Sequence, residues 1–177
     1  MRWRARTWLL VALVSAGLAA VSGCATTGTL ENSVYKSPET TYQVGPRGPG
    51  WTRLAVNDQN DLAFHNAAKE AVMHVDSRCD PSLDIPLTAL RAHLMIGFTD
   101  RDVISEQTVP MDGREALRTH FTAKLDGVER EIVMQILKKD GCVYDFALIT
   151  PPGPAFEDAV DDFDGFVDGF NTISEKS

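Results

Sequence analysis

The side chains able to do chemistry are few and widely spaced. Four histidines occupy positions 65, 74, 93 and 120, and three cysteines positions 24, 79 and 142. His120 with Glu131 or Asp145 would make a general-base pair, and Ser105 with His120 a nucleophile and its base, because such chemistry needs a proton acceptor within hydrogen-bond reach. Neither pairing sits in a frame that presents a nucleophile. The chain has no Gly-x-Ser-x-Gly elbow, no His-Glu-x-x-His and no phosphate-binding glycine loop. His65 and His74 invite a metal pair, but register about the intervening bend sets His74 nearer Ala63 than His65, and no third ligand follows at strand or helix spacing. His93, beside Leu90 and Leu94, reads as a boundary residue. Asp162-Phe163-Asp164-Gly165 resembles part of a calcium loop, yet Val160 stands where its first carboxylate belongs and no glutamate closes it. The expectation is a protein that is not an enzyme and holds no metal or cofactor.

The cysteines divide into one and two. Arg2, Arg4 and Arg6 precede an apolar run from Trp8 to Ala20, too short to span a bilayer, and Val21-Ser22-Gly23-Cys24 follows. This looks like a lipobox, making residues 1–23 a lipoprotein signal peptide and Cys24 the lipidated, membrane-anchored N-terminus. Several acyl chains on one residue bind a membrane durably. With Ala25 rather than Asp after Cys24, the lipobox resemblance implies, in an enteric-type sorting system, the outer membrane facing the periplasm. Cys79 and Cys142 remain as an even pair in an oxidising compartment, where a disulfide is the expected state and two buried free thiols the alternative. Losing the three arginines takes Lys+Arg from 17 to 14 against 25 acidic residues, so the formal charge moves from −8 to −11. Such a surface repels phosphate backbones, and nucleic acid is not an expected partner.

The elements that would position these residues are legible from turns and periodicity. Residues 24–50, rich in Thr, Ser, Gly and Pro, read as a lipidated N-terminus and flexible tether spanning about 25–30 Å, with Tyr42-Gln43-Val44 as a short strand that would shorten it. Residues 51–177 read as one domain. Trp51 to Val56 alternates as a strand, and Leu62 to Val75 forms a hairpin about the bend at 66–70. Asp84, Pro86 and the spacing of Leu87, Leu90 and Leu94 predict a helix over 85–97 that ends at Gly97.

Asp112-Gly113, Asp126-Gly127 and Asp140-Gly141 recur 14 residues apart and predict four sequential antiparallel strands from Asp102 to Thr150. About Asp126-Gly127, a two-residue turn pairs Leu125 with Val128, Phe121 with Ile132, Leu117 with Ile136 and Lys124 with Glu129. About Asp140-Gly141, a bulged three-residue loop is preferred, because the two-residue form would set Asp145 beside Ile136. The last two strands are apolar on both faces, so both need covering. The Phe stripe from Phe156 to Phe170 supplies a second helix, whose opposite side carries Glu157, Asp158, Asp161, Asp162 and Asp168 as a solvated acidic face.

Short strands beginning at Gly50-Trp51, a helix, a long Asp-Gly meander and a C-terminal Phe-bearing helix: over about residues 44 to 172 this layout resembles the PsbP-like proteins, extrinsic photosystem II subunits and their relatives. The resemblance implies an α+β fold, an antiparallel sheet of about six strands with helices on both faces as an α/β/α sandwich, and a non-enzymatic accessory or assembly role. Together with the anchor it leads to the expectation of a lipoprotein of the bacterial cell envelope that contacts another envelope protein. The alternative is a small-molecule or lipid-binding module whose cavity, between sheet and helix, would be lined by Met95, Phe98, Met134 and Phe146.

Overall fold

A computed structural model of the chain describes residues 28–55 and 60–173. Residues 1–23, Cys24 and therefore the lipidation site lie outside the described residues. The strands are β1 (Thr29–Glu31), β2 (Val34–Lys36), β3 (Thr41–Gln43), β4 (Thr52–Arg53), β5 (Leu62–Asn66), β6 (Ala71–Arg78), β7 (Thr99–Met111), β8 (Arg114–Leu125), β9 (Val128–Lys139), β10 (Cys142–Thr150) and β11 (Asn171–Thr172). Helix α1 (Leu87–Leu94) lies between β6 and β7, and helix α2 (Pro154–Asp168) follows β10. All strand pairs are antiparallel. They form a seven-stranded sheet in the order β4-β5-β6-β10-β9-β8-β7 and a four-stranded sheet in the order β1-β2-β3-β11.

The meander forms as its turns require. Asp112, Asp126 and Asp140 take φ of 45°, 50° and 54°, and the glycines after them 73°, 80° and 80°. Two successive left-handed residues match the right-handed twist of the flanking strands, and all three loops are two residues long. The register about Asp126-Gly127 is the expected one, with Leu125 opposite Val128, Phe121 opposite Ile132, Leu117 opposite Ile136 and Lys124 opposite Glu129. About Asp140-Gly141 the bulged loop is corrected: Lys139 pairs with Cys142, and Asp145 does face Ile136. Asp145 tolerates that position because β6 flanks β10 on its other side and brings Arg78 to it.

Residues 132–137 and 142–148 are buried throughout, so these strands are covered on both faces. One face carries Val133, Leu137, Tyr144, Phe146 and Leu148 against Ala159, Phe163, Phe166 and Val167 of α2. The other carries Phe121, Ala123, Ile132, Met134, Ile136 and Val143 against Leu90 and Met95. The expected α/β/α sandwich is corrected here. Only Leu90 of α1 is buried, and two turns of helix make no second helical layer. The described residues are mostly antiparallel sheet, in two sheets of four and seven strands with two α-helices. Helix α1 is also shorter than the predicted 85–97. Pro86 stands at its N-cap without a side-chain bond, while Asp84 closes the preceding Pro81–Leu83 turn and pairs with Lys138 at 2.7 Å.

The tether is the larger correction. From Thr29 onward the segment folds into β1–β3, and Tyr35, Tyr42 and Val44 are core residues. Phe170, just past α2, gathers Tyr42, Tyr144 and Phe146 at ring distances of 5.4, 5.0 and 5.2 Å, which joins the small sheet to the large one. Gly45 then crosses α2 so closely that a Cβ there would lie 1.9 Å from the Gly165 carbonyl oxygen, and its N–H donates to the Phe166 carbonyl at 2.9 Å. A contact this close requires glycine.

Candidate functional site

Antiparallel pairing of β6 with β10 sets Asp76 directly opposite Asp145 and Arg78 opposite Val143. Side chains alternate along β6, so Val72, His74, Asp76 and Arg78 share the face turned toward α1. The Arg78 guanidinium donates through Nε to Asp76 at 3.1 Å and through an Nη to Asp145 at 2.8 Å. The carboxylates are nearly enclosed, at 16% and 6% exposure, whereas Arg78 reaches solvent at 49%. Burial raises the Asp76 carboxyl to about 7, helped by the like charges of Asp145 and Asp61 and opposed by Arg78. Burial also raises Asp145, against the pull of Arg78. His74 is shifted the other way: burial holds it below the ordinary histidine range, and its Nδ1 is enclosed without a partner. One guanidinium therefore serves two inward carboxylates beside a neutral imidazole. The arrangement can bind and release a proton near neutrality.

On the opposite face Asp61 collects three hydroxyls. Tyr35 and Tyr42 donate to it at 2.9 Å each, and Ser77 donates as well. Burial raises Asp61, and the same burial with the nearby carboxylate holds both tyrosines above their usual range. These bonds tie β2 and β3 to the large sheet.

The sequence-derived candidates fall into place around this core. His120 and Glu131 meet across β8 and β9 at 2.9 Å, and Ser105 faces His120 in register. Asp145 does not join them, since it lies on the α1 face while His120 stacks on Phe156 of α2 at 4.5 Å and 6°. The second oxygen of Glu131 accepts the Gly153 N–H at 2.9 Å. Gly153 is the N-cap of α2 and offers no side-chain cap, so Glu131 binds a donor that the helix start leaves open. The pair holds a helix to a sheet. Asp162 of the calcium-like stretch accepts from Trp51 Nε1 at 2.8 Å and pairs with Lys69, while Asp164 pairs with Arg118 at 2.7 Å. These two acids are therefore structural, and the acidic face of α2 is less solvated than expected. Among the described residues no group of three His, Cys, Asp or Glu is arranged to hold a metal ion.

Cys79 and Cys142 are joined by a disulfide, one rung beyond the Arg78–Val143 pair. The four expected cavity residues do not line one space. Met95, Phe98 and Met134 pack on the α1 side, with Phe98 edge-on to Phe121 at 5.8 Å, whereas Phe146 packs under α2. The cleft beside α1 is instead lined by Arg78, Leu83, Leu90, His93, Leu94, Val143 and Asp145 and holds about 50 Å³. A drug-sized ligand needs several hundred.

No protein-family model and no curated protein sequence matches the chain. Solved structures do. The cyanobacterial PsbP protein CyanoP from Synechocystis superposes with a TM-score of 0.56 at 14% identity, over 91% of this chain and 99% of that one. LpqN, involved in cell envelope biogenesis of Mycobacterium tuberculosis, superposes with a TM-score of 0.53 at 10% identity, over 76% of this chain and 86% of that one. A Bacteroides thetaiotaomicron protein gives 0.53 at 9% identity, this chain matching 46% of its length. At these identities the likeness shows the fold, and the fold is PsbP-like.

Proposed function

We propose that this chain, which carries a PsbP-like fold, is a non-catalytic accessory module of the bacterial cell envelope, anchored to a membrane by lipid on Cys24 and acting by contact with another envelope protein. The observation that carries the reading is where its exposed apolar residues lie. Four of the six exposed large apolar residues among those described gather at one end: the register of β7, β8 and β9 sets Val103, Ile104 and Val128 toward the Asp126-Gly127 turn, and Ile96 just precedes β7, while Leu54 and Ile173 lie elsewhere. The small sheet, through which the chain enters from Gly28, packs at the other end, beside the Cys79–Cys142 disulfide and Tyr144. A module held at one end and apolar at the other suits a tethered adaptor. LpqN, with the same fold, is involved in cell envelope biogenesis, which supports the same address. Among the described residues no helix is long and apolar enough to cross a membrane. Attachment through Cys24 and the outer-membrane address remain part of the proposal.

The test places a photo-crosslinking residue at Ile96 or Val128, and at Glu39 as a control, in the full chain with Cys24 or with Cys24→Ser. Trapping of one discrete envelope protein from Ile96 and Val128, but not from Glu39, and only with Cys24 intact, is the expected result. Equal trapping at all three positions, or none, would overturn the reading.

A further inference from the structure

Residues 80–98 leave β6 at Cys79, carry α1 across the face that holds Asp145, and rejoin the sheet at β7. Leu90 and Met95 are the fully buried residues of this segment, Leu83, Ile85, Leu87, Leu94 and Phe98 pack partly buried against the same cluster, and α1 starts without a side-chain cap. Its ion pairs to the sheet, Asp84 with Lys138 and Arg91 with Glu106, are partly exposed and open to screening by salt. Mostly partial burial and polar ties open to solvent are the marks of a unit that opens locally. The disulfide at Cys79 fixes one end of it.

We propose that residues 80–98 form a proton-controlled cap, closed while one of the opposed carboxyls of Asp76 and Asp145 is protonated and loosened when both are ionised. With both ionised, two adjacent strands present two negative charges to one guanidinium in a nearly dry space, and letting water in beside α1 relieves it. Asp145 and Arg78 line the cleft that α1 roofs, so opening the cap wets this pair first. The groups facing the pair are His74 and Arg78 on β6, Asp61 across the sheet and His93 on the cap itself, while Lys138 of β9 is engaged by Asp84. The carboxyl pair is more basic when enclosed than in water, so opening releases a proton and becomes more favourable as pH rises through neutrality. His74 acts in the opposite sense, since enclosure keeps it neutral and acid favours wetting it.

Amide hydrogen exchange on the full chain at pH 6 and pH 8, corrected for intrinsic rates, reads the cap directly. The expected result is roughly tenfold lower protection at pH 8 for amides of residues 87–98, with amides of α2 unchanged. Asp76→Asn should flatten the response and His74→Gln should keep it. Equal protection of the cap at both pH values, a parallel change in α2, or a response that survives Asp76→Asn would each overturn the proposal. If Asp76→Asn does not fold, Asp145→Asn serves in its place under the same criteria, and the comparison of cap with α2 in the unmodified chain decides by itself.

Discussion

Asp76 and Asp145 stand opposite each other on neighbouring strands, and the same guanidinium, that of Arg78, bonds to both. Their energetics follow from the count of charges. Asp76 has a folded value of about 7 against an ordinary carboxyl near 4, so the folded state holds a proton that the unfolded chain has released. Stability contributed by this group is present below pH 4 and falls as pH rises from there to about 7. Denaturant titrations between pH 5 and 8 should show that decline, and Asp76→Asn should be the more stable protein at pH 8 by about 2 kcal/mol.

Arg78→Ala leaves both carboxylates without their cation. A loss of about 3 kcal/mol at pH 8, shrinking toward pH 5 as the carboxyls take up protons, is expected from chemical denaturation. Arg78→Lys should recover only part of it, because one ammonium cannot reproduce two bonds made through separate nitrogens.

Glu131→Gln keeps the shape of the side chain but weakens the bond to the Gly153 N–H and to His120. The expected effect is about 1 kcal/mol of lost stability, with the first turn of α2 exchanging its amides faster. Loss of a measurable turnover with no change in stability would point to chemistry at this pair instead.

Gly45→Ala would drive a methyl group into the Gly165 carbonyl, and backbone cannot yield as a flexible side chain can. A loss of at least about 2 kcal/mol is expected in thermal unfolding, whereas Gly127→Ala, with open space around it, should be limited to the strain of its positive φ, about 1 kcal/mol.

The Cys79–Cys142 bond closes a loop with a sequence separation of 63. Replacing both by Ser should lower stability by about 4 kcal/mol in the chain-entropy model. Comparing oxidised and reduced protein in urea checks the value.

The sequence was most informative where structure is local. Asp-Gly at three even intervals, and the apolar stripe from Phe156 to Val167, are signals within one turn or one helix, and both appear where they were read, while Phe170 falls just past the end of α2. The errors arose where a distant segment supplies a partner. Asp145 looked misplaced beside Ile136 only because nothing near it in sequence shows that Arg78 arrives from β6. Tyr35 and Tyr42 lie in strands of three residues, too short for alternation to register, amid Thr, Ser and Pro that suggest a loose chain. Tyr42 packs on Phe170, more than 120 positions away, and Tyr35 packs on Tyr42. Phe146 was assigned to the wrong side for a related reason: its face depends on the register of β10, and the preferred bulge shifted that register by one.

The crossing of Gly45 over the Phe166 carbonyl bears on the order in which the molecule assembles. The meander and the β5–β6 hairpin need only neighbours to form, and short loops close quickly. The small sheet instead waits for β11, α2 and Phe170, which are made only after the whole meander. The N-terminal segment that precedes the body is therefore its final piece to dock. Until α2 is in place, residues 28–45 remain a free leader, and a chain truncated before Phe170 should leave them accessible to protease while the hairpins behind them are already formed.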